Sequence, residues 1–199
     1  MYDKPDLAAL IGSRICHDLI SPIGAIGNGV ELMMMDGAAP TPELALIVES
    51  VASANARIRF FRLAYGAASA DQRIARGEAA GIVADMTRGG RLQVEWFGES
   101  DLARGEVKLA FLLLQCLETA MPYGGKLKID KSENGWAMQA EAPRLKIDPE
   151  LWELLTGPVA PSAEIAAGQV HFPLAAAQLQ ILGRKLQPEI SEHSVSLSF

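Results

Sequence analysis

The chain has 199 residues, of which 49% are hydrophobic and 21% are charged, and its formal net charge is −6. This balance is typical of a globular protein with one large domain or two small ones. The negative charge gives no basic surface for nucleic acid, and no run of about 18 uncharged apolar residues predicts a membrane-spanning helix. The first residues, MYDKPDLAAL, lack the basic and apolar regions of a signal peptide. We therefore expect a cytoplasmic protein that binds neither nucleic acid nor membrane.

Residues 5–36 form the first predicted helix, because apolar residues recur there at steps of three and four. The members of this apolar stripe are Leu7, Ile11, Ile15, Leu19, Ile23, Ile26, Val30 and Met33. The segment DGAAPT, residues 36–41, breaks the pattern with Gly and Pro. Thr41 is then an N-cap with Pro42 at the first helical position, and a second helix is predicted to about residue 69. Two long helices with a short connection predict an antiparallel hairpin.

A helical hairpin is a single layer, so its apolar stripes must pack against another surface. A second copy of the chain would complete a four-helix bundle across a two-fold axis. The alternative is packing against the chain's own second half. We favour the homodimer, with residues 1–72 as the dimerisation domain.

The pattern changes from residue 78 to strands mixed with helices. Helices are predicted at 78–88, 103–121, 149–155 and 171–186, and strands at 91–97, in KLKIDK, in WAMQAEA and at 195–199. Strands covered by helices predict an α+β sandwich over residues 76–199. The scattered tryptophans are expected in its core, His171 is expected to pack or cap locally, and His193 is expected to be solvated.

The two cysteines, Cys16 and Cys116, lie far apart inside apolar helical patterns. Isolated cysteines of this kind are typical of reduced thiols packed in a core. A zinc site needs several ligands close together, and the sequence offers no such cluster. We therefore expect this chain to hold no metal and no cofactor of its own.

The segment RICHDLISP, residues 14–22, carries most of the functional information. At about 100° per residue, His17 lies about 200° from Ile15 and from Leu19, so it faces away from the apolar stripe. Small or polar residues share its face, namely Ser13, Arg14, Ser21, Gly24 and Asn28. Another protein could approach a histidine in such surroundings closely, which makes these five residues candidates for partner binding.

Three glycines weaken the same helix, because Gly24, Gly27 and Gly29 each cost about 1 kcal/mol relative to alanine. Pro22 also removes a backbone hydrogen bond and is expected to bend the helix. Close approach by a partner or by the second helix would explain these residues. A kinked helix with only a structural role is the simpler alternative.

The chemistry available to His17 is nucleophilic. A neutral imidazole can accept a phosphoryl group on one ring nitrogen, and an ordinary histidine, with a pKa of about 6.5, is mostly neutral at pH 7. Asp18 could orient the ring or take its proton, and Arg14 could neutralise incoming phosphoryl oxygens. A lone helical histidine more often has no chemical role. The string H-D-L-x-x-P, early on a long helix that opens a hairpin, favours a catalytic one.

That string resembles the phospho-acceptor box of sensor histidine kinases, in which a dimerising hairpin precedes an ATP-binding domain. The second half of this chain has a similar layout but departs from it where ATP chemistry takes place. The helix at 107–121 has no asparagine for magnesium, residues 156–170 contain no Asp-x-Gly-x-Gly loop, and no Gly-x-Gly precedes the helix at 171–186. The glycine-rich elements that bind phosphates are missing.

An acceptor histidine joined to a kinase-like fold without a nucleotide site is similar to the ChpT-type histidine phosphotransferases of alphaproteobacteria. The segment RICHDLISPIGAIGNGVELM and the layout of the second half carry this resemblance over the whole chain. It implies a homodimer in which His17 accepts a phosphoryl group from the receiver domain of a hybrid histidine kinase. His17 would then donate it to response regulators of the CtrA and CpdR kind, which control the cell cycle and transcription. Asp18 takes the place of the acidic neighbour, and the receiver domain would supply magnesium.

Three other functions stay open at this point. An active histidine kinase with an unusual nucleotide site would retain affinity for ATP. A non-catalytic dimeric scaffold would keep its activity when His17 is replaced by alanine. A phosphatase acting on receiver domains would depend on Asp18 and Ser21 more than on His17.

Overall fold

A computed structural model describes residues 6–37, 41–157 and 165–199. The chain divides into two compact units, Met1–Ala67 and Ala68–Phe199. The domain limits 1–72 and 76–199 stay sequence-based predictions beside this division. Among the described residues, no helix is long and apolar enough to cross a membrane.

The first unit is a helical hairpin of α1 (Leu7–Met35) and α2 (Pro42–Tyr65). Thr41 caps α2 as predicted, because its hydroxyl oxygen accepts a hydrogen bond from the Leu44 amide at 3.2 Å. Helix α1 runs through Pro22 without ending there. Residue 5 of the first predicted helix and residues 38–40 of the predicted break lie outside the described residues.

Helix α2 ends four residues before the predicted limit at residue 69. Gly66 follows Tyr65 in an extended conformation and is the C-cap of α2. A Cβ atom at residue 66 would collide with the carbonyl oxygen of Arg62, so the chain turns away from the helix axis at a position that only glycine fits. The apolar periodicity gave no sign of this stop.

The face of α1 that meets α2 carries small residues. A Cβ atom on Gly12 would lie 3.2 Å from the Tyr65 carbonyl oxygen, and one on Gly27 would lie 3.2 Å from Val51 Cγ1. Early α1 thus meets late α2, which confirms an antiparallel hairpin. Most of the predicted apolar stripe lies on another face: Leu7, Ile11, Ile15, Leu19, Ile26 and Met33 are each at least 47% exposed in the single chain.

The second unit is an α+β sandwich, as predicted. Its elements are β1 (Arg73–Ala75), α3 (Arg76–Thr87), β2 (Leu92–Gly98), β3 (Asp101–Ala103), α4 (Arg104–Ala120), β4 (Gly125–Ser132), β5 (Gly135–Glu141), α5 (Pro149–Thr156), a 3₁₀ turn (Ala167–Gln169), α6 (His171–Ile181), β6 (Gln187–Ile190) and β7 (Ser194–Ser198). The main sheet has the order β2-β4-β5-β7-β6, with β2 and β4 parallel and the other neighbours antiparallel. Strands β1 and β3 form a separate antiparallel pair.

The core of this unit lies on one face of the main sheet. Buried and exposed residues alternate along β4, β5 and β7, as expected for strands with one face covered. Helix α4 has twelve buried residues out of 17. Trp96, Trp136 and Trp152 are all buried, which confirms their predicted place in the core.

Helix α6 ends at Ile181, so the predicted end at residue 186 is wrong. Gly183 has a φ of 61°, and its amide donates to the carbonyl of Gln180 while the Arg184 amide donates to that of Leu179. This pair of bonds is a Schellman motif, which stops a helix at a left-handed glycine. Strands β1, β3 and β6 were not predicted, because strands of three or four residues are too short to show alternation.

Candidate functional site

His17 lies on an exposed, polar face of α1. Its side chain is 83% exposed, whereas that of the preceding Cys16 is buried. Helix α1 therefore has three distinct faces. One packs on α2, one carries the exposed apolar stripe, and the third presents His17 to solvent with the polar neighbours predicted from the sequence.

The His17 ring is held by the next residue in the chain. Its Nδ1 atom lies 3.0 Å from Asp18 Oδ1, and the other carboxylate oxygen, Oδ2, accepts a hydrogen bond from Arg14 Nε at 2.6 Å. The hydrogen bonds from His17 and from Arg14 lower the pKa of Asp18 below its usual value. Asp18 is therefore ionised at neutral pH and can only accept hydrogen bonds.

This geometry assigns the tautomer of the neutral ring. Because an ionised Asp18 only accepts, the Nδ1 atom of His17 carries the proton and donates it. The Nε2 atom then has a free lone pair on an exposed side chain. An imidazole in this state is a nucleophile that a partner protein can reach.

The remaining predicted site residues are distributed around His17 on α1. Ser21 and Asn28 are exposed, and Gly24 has no atom within 4 Å of the position that a Cβ would take. Ser13 is half-buried, and its hydroxyl oxygen accepts a hydrogen bond from the Ala67 amide at 3.0 Å. Ser13 thus fixes the chain after α2, a contact that the sequence analysis did not predict.

A groove of about 450 Å³ runs between α1 and α2, and its lining residue nearest to His17 in α1 is Gly24, about two helical turns away. Its lining residues are Gly24, Gly27, Asn28, Val30, Glu31, Met34, Val48, Val51, Ala52 and Asn55. Gly27 is explained by its contact with Val51 on the second helix, one of the two predicted reasons for the glycines. A Cβ atom at residue 24 would have no atom within 4 Å, so the missing side chain of Gly24 leaves room in the groove.

Cysteine chemistry does not contribute to this site. Cys16 and Cys116 are both buried and unpaired, as predicted for core thiols. Burial raises the pKa of the Cys16 thiol and raises that of Cys116 well above its usual value. Both thiols are therefore protonated at neutral pH and unreactive, although Cys16 is next to His17.

The other two histidines lie in the second unit of the chain. His171 is buried at the start of α6, and its Nε2 lies 3.2 Å from Thr119 Oγ1 on α4, which confirms the prediction of local packing. The side chain of His193 is 65% exposed, as predicted. No cluster of three or more His, Cys, Asp or Glu side chains suited to a metal occurs in the described ranges.

The nucleotide-binding elements of a histidine kinase would correspond to α4 and residues 156–170 of this chain. Helix α4 contains no asparagine. Of residues 156–170, where the sequence shows no Asp-x-Gly-x-Gly, residues 158–164 lie outside the described residues.

Residues 76–194 match the family model of the histidine phosphotransferase C-terminal domain. The chain belongs to the histidine phosphotransferase family. This phosphotransferase is 37% identical over 172 residues to the protein phosphotransferase ChpT of Brucella abortus (strain 2308), covering 83% of this chain and 81% of that protein. It also aligns with a solved bacterial phosphotransferase structure at a TM-score of 0.70 and 31% identity, over 100% of this chain and 97% of the other. The predicted ChpT-type family is thereby confirmed.

A looser match is the histidine kinase AdeS of Acinetobacter baumannii, with a TM-score of 0.45 and 15% identity over 92% of this chain and 96% of the other. The family model covers the second unit of this phosphotransferase and not the hairpin. The similarity to the solved phosphotransferase extends over the hairpin as well, since it covers the whole chain.

Proposed function

We propose that this phosphotransferase accepts a phosphoryl group on His17 from the receiver-domain aspartate of a hybrid histidine kinase. It then donates the group to response regulators of the CtrA and CpdR kind, and so acts on the cell cycle and transcription in the cytoplasm. The observation that carries the proposal is the exposed His17 ring, whose Nδ1 is bonded to Asp18 and whose Nε2 is open. Membership of the histidine phosphotransferase family supports it.

The proposed step needs no group beyond the two proteins and the receiver's own magnesium. Nε2 of His17 attacks the phosphorus of the aspartyl phosphate, the P–O bond to the aspartate breaks, and its electron pair returns to the carboxylate. Nε2 has no proton to lose in this tautomer. The ring becomes positively charged while it keeps the Nδ1 proton, and the Asp18 carboxylate stabilises that charge. Donation to a regulator is the same step in reverse.

The groove between α1 and α2, about two turns along α1 from His17, is the docking site that we propose for the receiver domain. Glycine at position 24 keeps backbone accessible there, and Asn28 and Glu31 add polar groups beside the apolar Val48 and Met34. A partner helix placed in such a groove would be read by contacts spaced along both α1 and α2. Ser21 is exposed on α1, one turn after His17 and three residues before Gly24.

The exposed stripe of α1 supports the proposed homodimer. Six of its members are at least 47% exposed in the single chain, a larger apolar surface than a helical hairpin can leave in water. A second copy would cover this face and complete a four-helix bundle. The stripe lies away from His17, so a dimer through it would leave both acceptor rings accessible.

The test is phosphoryl transfer from a phosphorylated receiver domain of a hybrid kinase to the full chain. We expect an acid-labile, alkali-stable label on the wild type and none on His17→Ala. His193→Ala is the matched control, since it removes another exposed histidine and should take up label normally. Label on His17→Ala would overturn the proposal, and its absence from every variant would favour the scaffold or phosphatase function.

A further inference from the structure

Three side chains form a hydrogen-bonded row along one turn of α1. Arg14 Nε bonds Asp18 Oδ2 at 2.6 Å, and Asp18 Oδ1 bonds His17 Nδ1 at 3.0 Å. All three side chains are exposed, by 77%, 47% and 83% for Arg14, Asp18 and His17. In the described part of the chain, Asp18 has hydrogen bonds from these two side chains alone.

The contact between His17 and Asp18 is not one that a helix provides by default. Successive residues on a helix do not face each other, so the carboxylate must turn toward the ring for this bond to form. An exposed aspartate without a second partner would populate several rotamers. Arg14 stands four residues before Asp18, where helical side chains do meet, and its short ionic bond holds the carboxylate from the other side.

We propose that Arg14 is a positioning residue for His17: by bonding Asp18 it turns the carboxylate onto Nδ1, which fixes the ring in the tautomer with an open Nε2. This inference rests on the proposed phosphoryl acceptance by His17. It gives Arg14 a role that differs from the neutralisation of phosphoryl oxygens expected from the sequence, because Arg14 acts on the ring and not on the incoming group.

The consequence for the reaction is that Arg14 changes the fraction of His17 able to react. A ring protonated on Nε2 has no lone pair there and cannot attack phosphorus. Without the hydrogen bond from Arg14 to Asp18, fewer His17 rings are in the reactive tautomer. The rings that are in that tautomer react as before. An exposed ion pair contributes little to the free energy of folding. Removing Arg14 should therefore change the tautomer of His17 and not the stability of the protein.

The first measurement is the tautomer of His17 in the full chain labelled with ¹⁵N-histidine. The sequence has three histidines, and the spectrum of His17→Gln assigns the signal of interest. At a pH where the ring is neutral, we expect the wild type to show the Nδ1–H form. Arg14→Gln should raise the Nε2–H fraction by about twofold or more, and Asp18→Asn should raise it further.

The second measurement is the rate of phosphoryl acceptance from a phosphorylated receiver domain. Arg14→Gln should lower the maximal rate by the same factor as it lowers the Nδ1–H fraction, a modest loss since a surface ion pair is a weak restraint, and leave the half-saturating receiver concentration unchanged. Arg88→Gln is the matched control. It removes a 79% exposed arginine that bonds Asp85 at 2.6 Å in the second unit, and should behave as the wild type.

The outcomes separate the inference from the proposed function. A slower Arg14→Gln with a wild-type tautomer would overturn the inference, because Arg14 would then act on the phosphoryl group or on the receiver. A wild-type rate and tautomer in Arg14→Gln would overturn it as well. Failure of the wild type to accept label would refute the proposed function, whereas the tautomer comparison needs no transfer and tests the positioning by itself.

Discussion

Replacing Gly24 tests whether the groove between α1 and α2 is a docking site, because the substitution should stabilise the free chain. A Cβ atom at residue 24 meets nothing within 4 Å, so alanine fits without strain. Alanine in a helix interior is favoured over glycine by about 1 kcal/mol. Gly24→Ala should therefore raise the free energy of unfolding of the hairpin by about 1 kcal/mol.

The methyl group of alanine at residue 24 would occupy space in the groove that Gly24 lines. Added volume in a well-fitted contact costs about 1 kcal/mol or more, which is about a fivefold weaker Kd for the receiver domain. Gly24→Ala should thus be more stable and bind more weakly. Natural proteins keep a costly glycine for such a reason, since close backbone approach requires it.

Gly29→Ala is the matched control for this experiment. Residue 29 also has no neighbour within 4 Å, and it does not line the groove. Amide hydrogen exchange of α1 reports the local stability, and titration with the receiver domain reports the Kd, both at one protein concentration. Both variants should gain protection, and Gly24→Ala alone should lose affinity. Weaker protection of the α1 amides from exchange in Gly24→Ala, or equal receiver affinity in the two variants, would refute the reasoning.

Three further predictions address the dimer, the carboxylate and the second unit. Leu19→Ala should raise the dimer Kd measured by sedimentation about 30-fold, because burying the exposed half of a leucine side chain contributes about 1 kcal/mol and the dimer contains two copies. Ile181→Ala is the control: Ile181 is 71% exposed on α6, and its replacement should leave the Kd unchanged. An unchanged Kd for Leu19→Ala would contradict the four-helix bundle. Asp18→Asn should slow phosphoryl acceptance by about 100-fold in single-turnover assays while receiver affinity holds, and a rate near the wild type would exclude an orienting carboxylate. Burial lowers the pKa of His171, so the unfolded chain binds its proton first and stability should fall as the pH drops from about 6.5 toward the lowered pKa. Urea unfolding should show a smaller pH dependence for His171→Gln, whose amide can still donate to Thr119; an equal slope would assign the effect elsewhere.

The hairpin could be predicted from the sequence because two long helices leave strong periodic signals. The start of α2 was also predicted correctly, because an N-cap such as Thr41 followed by Pro42 is a local sequence signal. The faces through which the two helices pack could not be predicted. Periodicity finds apolar residues, whereas the contact between the helices depends on glycines at positions 12 and 27 that have no hydropathy signal.

The sequence names the candidate site residues but not the bonds between them. The string H-D-L-x-x-P predicts roles for His17 and Asp18, and the structure adds the direction in which each side chain turns. The spacing of Arg14 and Asp18 was a usable sign of an i,i+4 pair that the sequence analysis did not use. The α2 side of the groove, with Val48 and Asn55, depends on the packing of two helices and leaves no mark in a single sequence.

The central claim is that His17 carries the phosphoryl group between two receiver domains, and locating the group tests it most directly. The full chain is phosphorylated by one phosphorylated receiver domain, freed from it, and examined by ³¹P NMR and by mass spectrometry before and after addition of a second, unphosphorylated receiver. We expect one phosphoramidate signal on Nε2 of His17 that disappears as the second receiver gains an aspartyl phosphate. A phosphoryl group on any other residue, or one on His17 released only as inorganic phosphate, would contradict it.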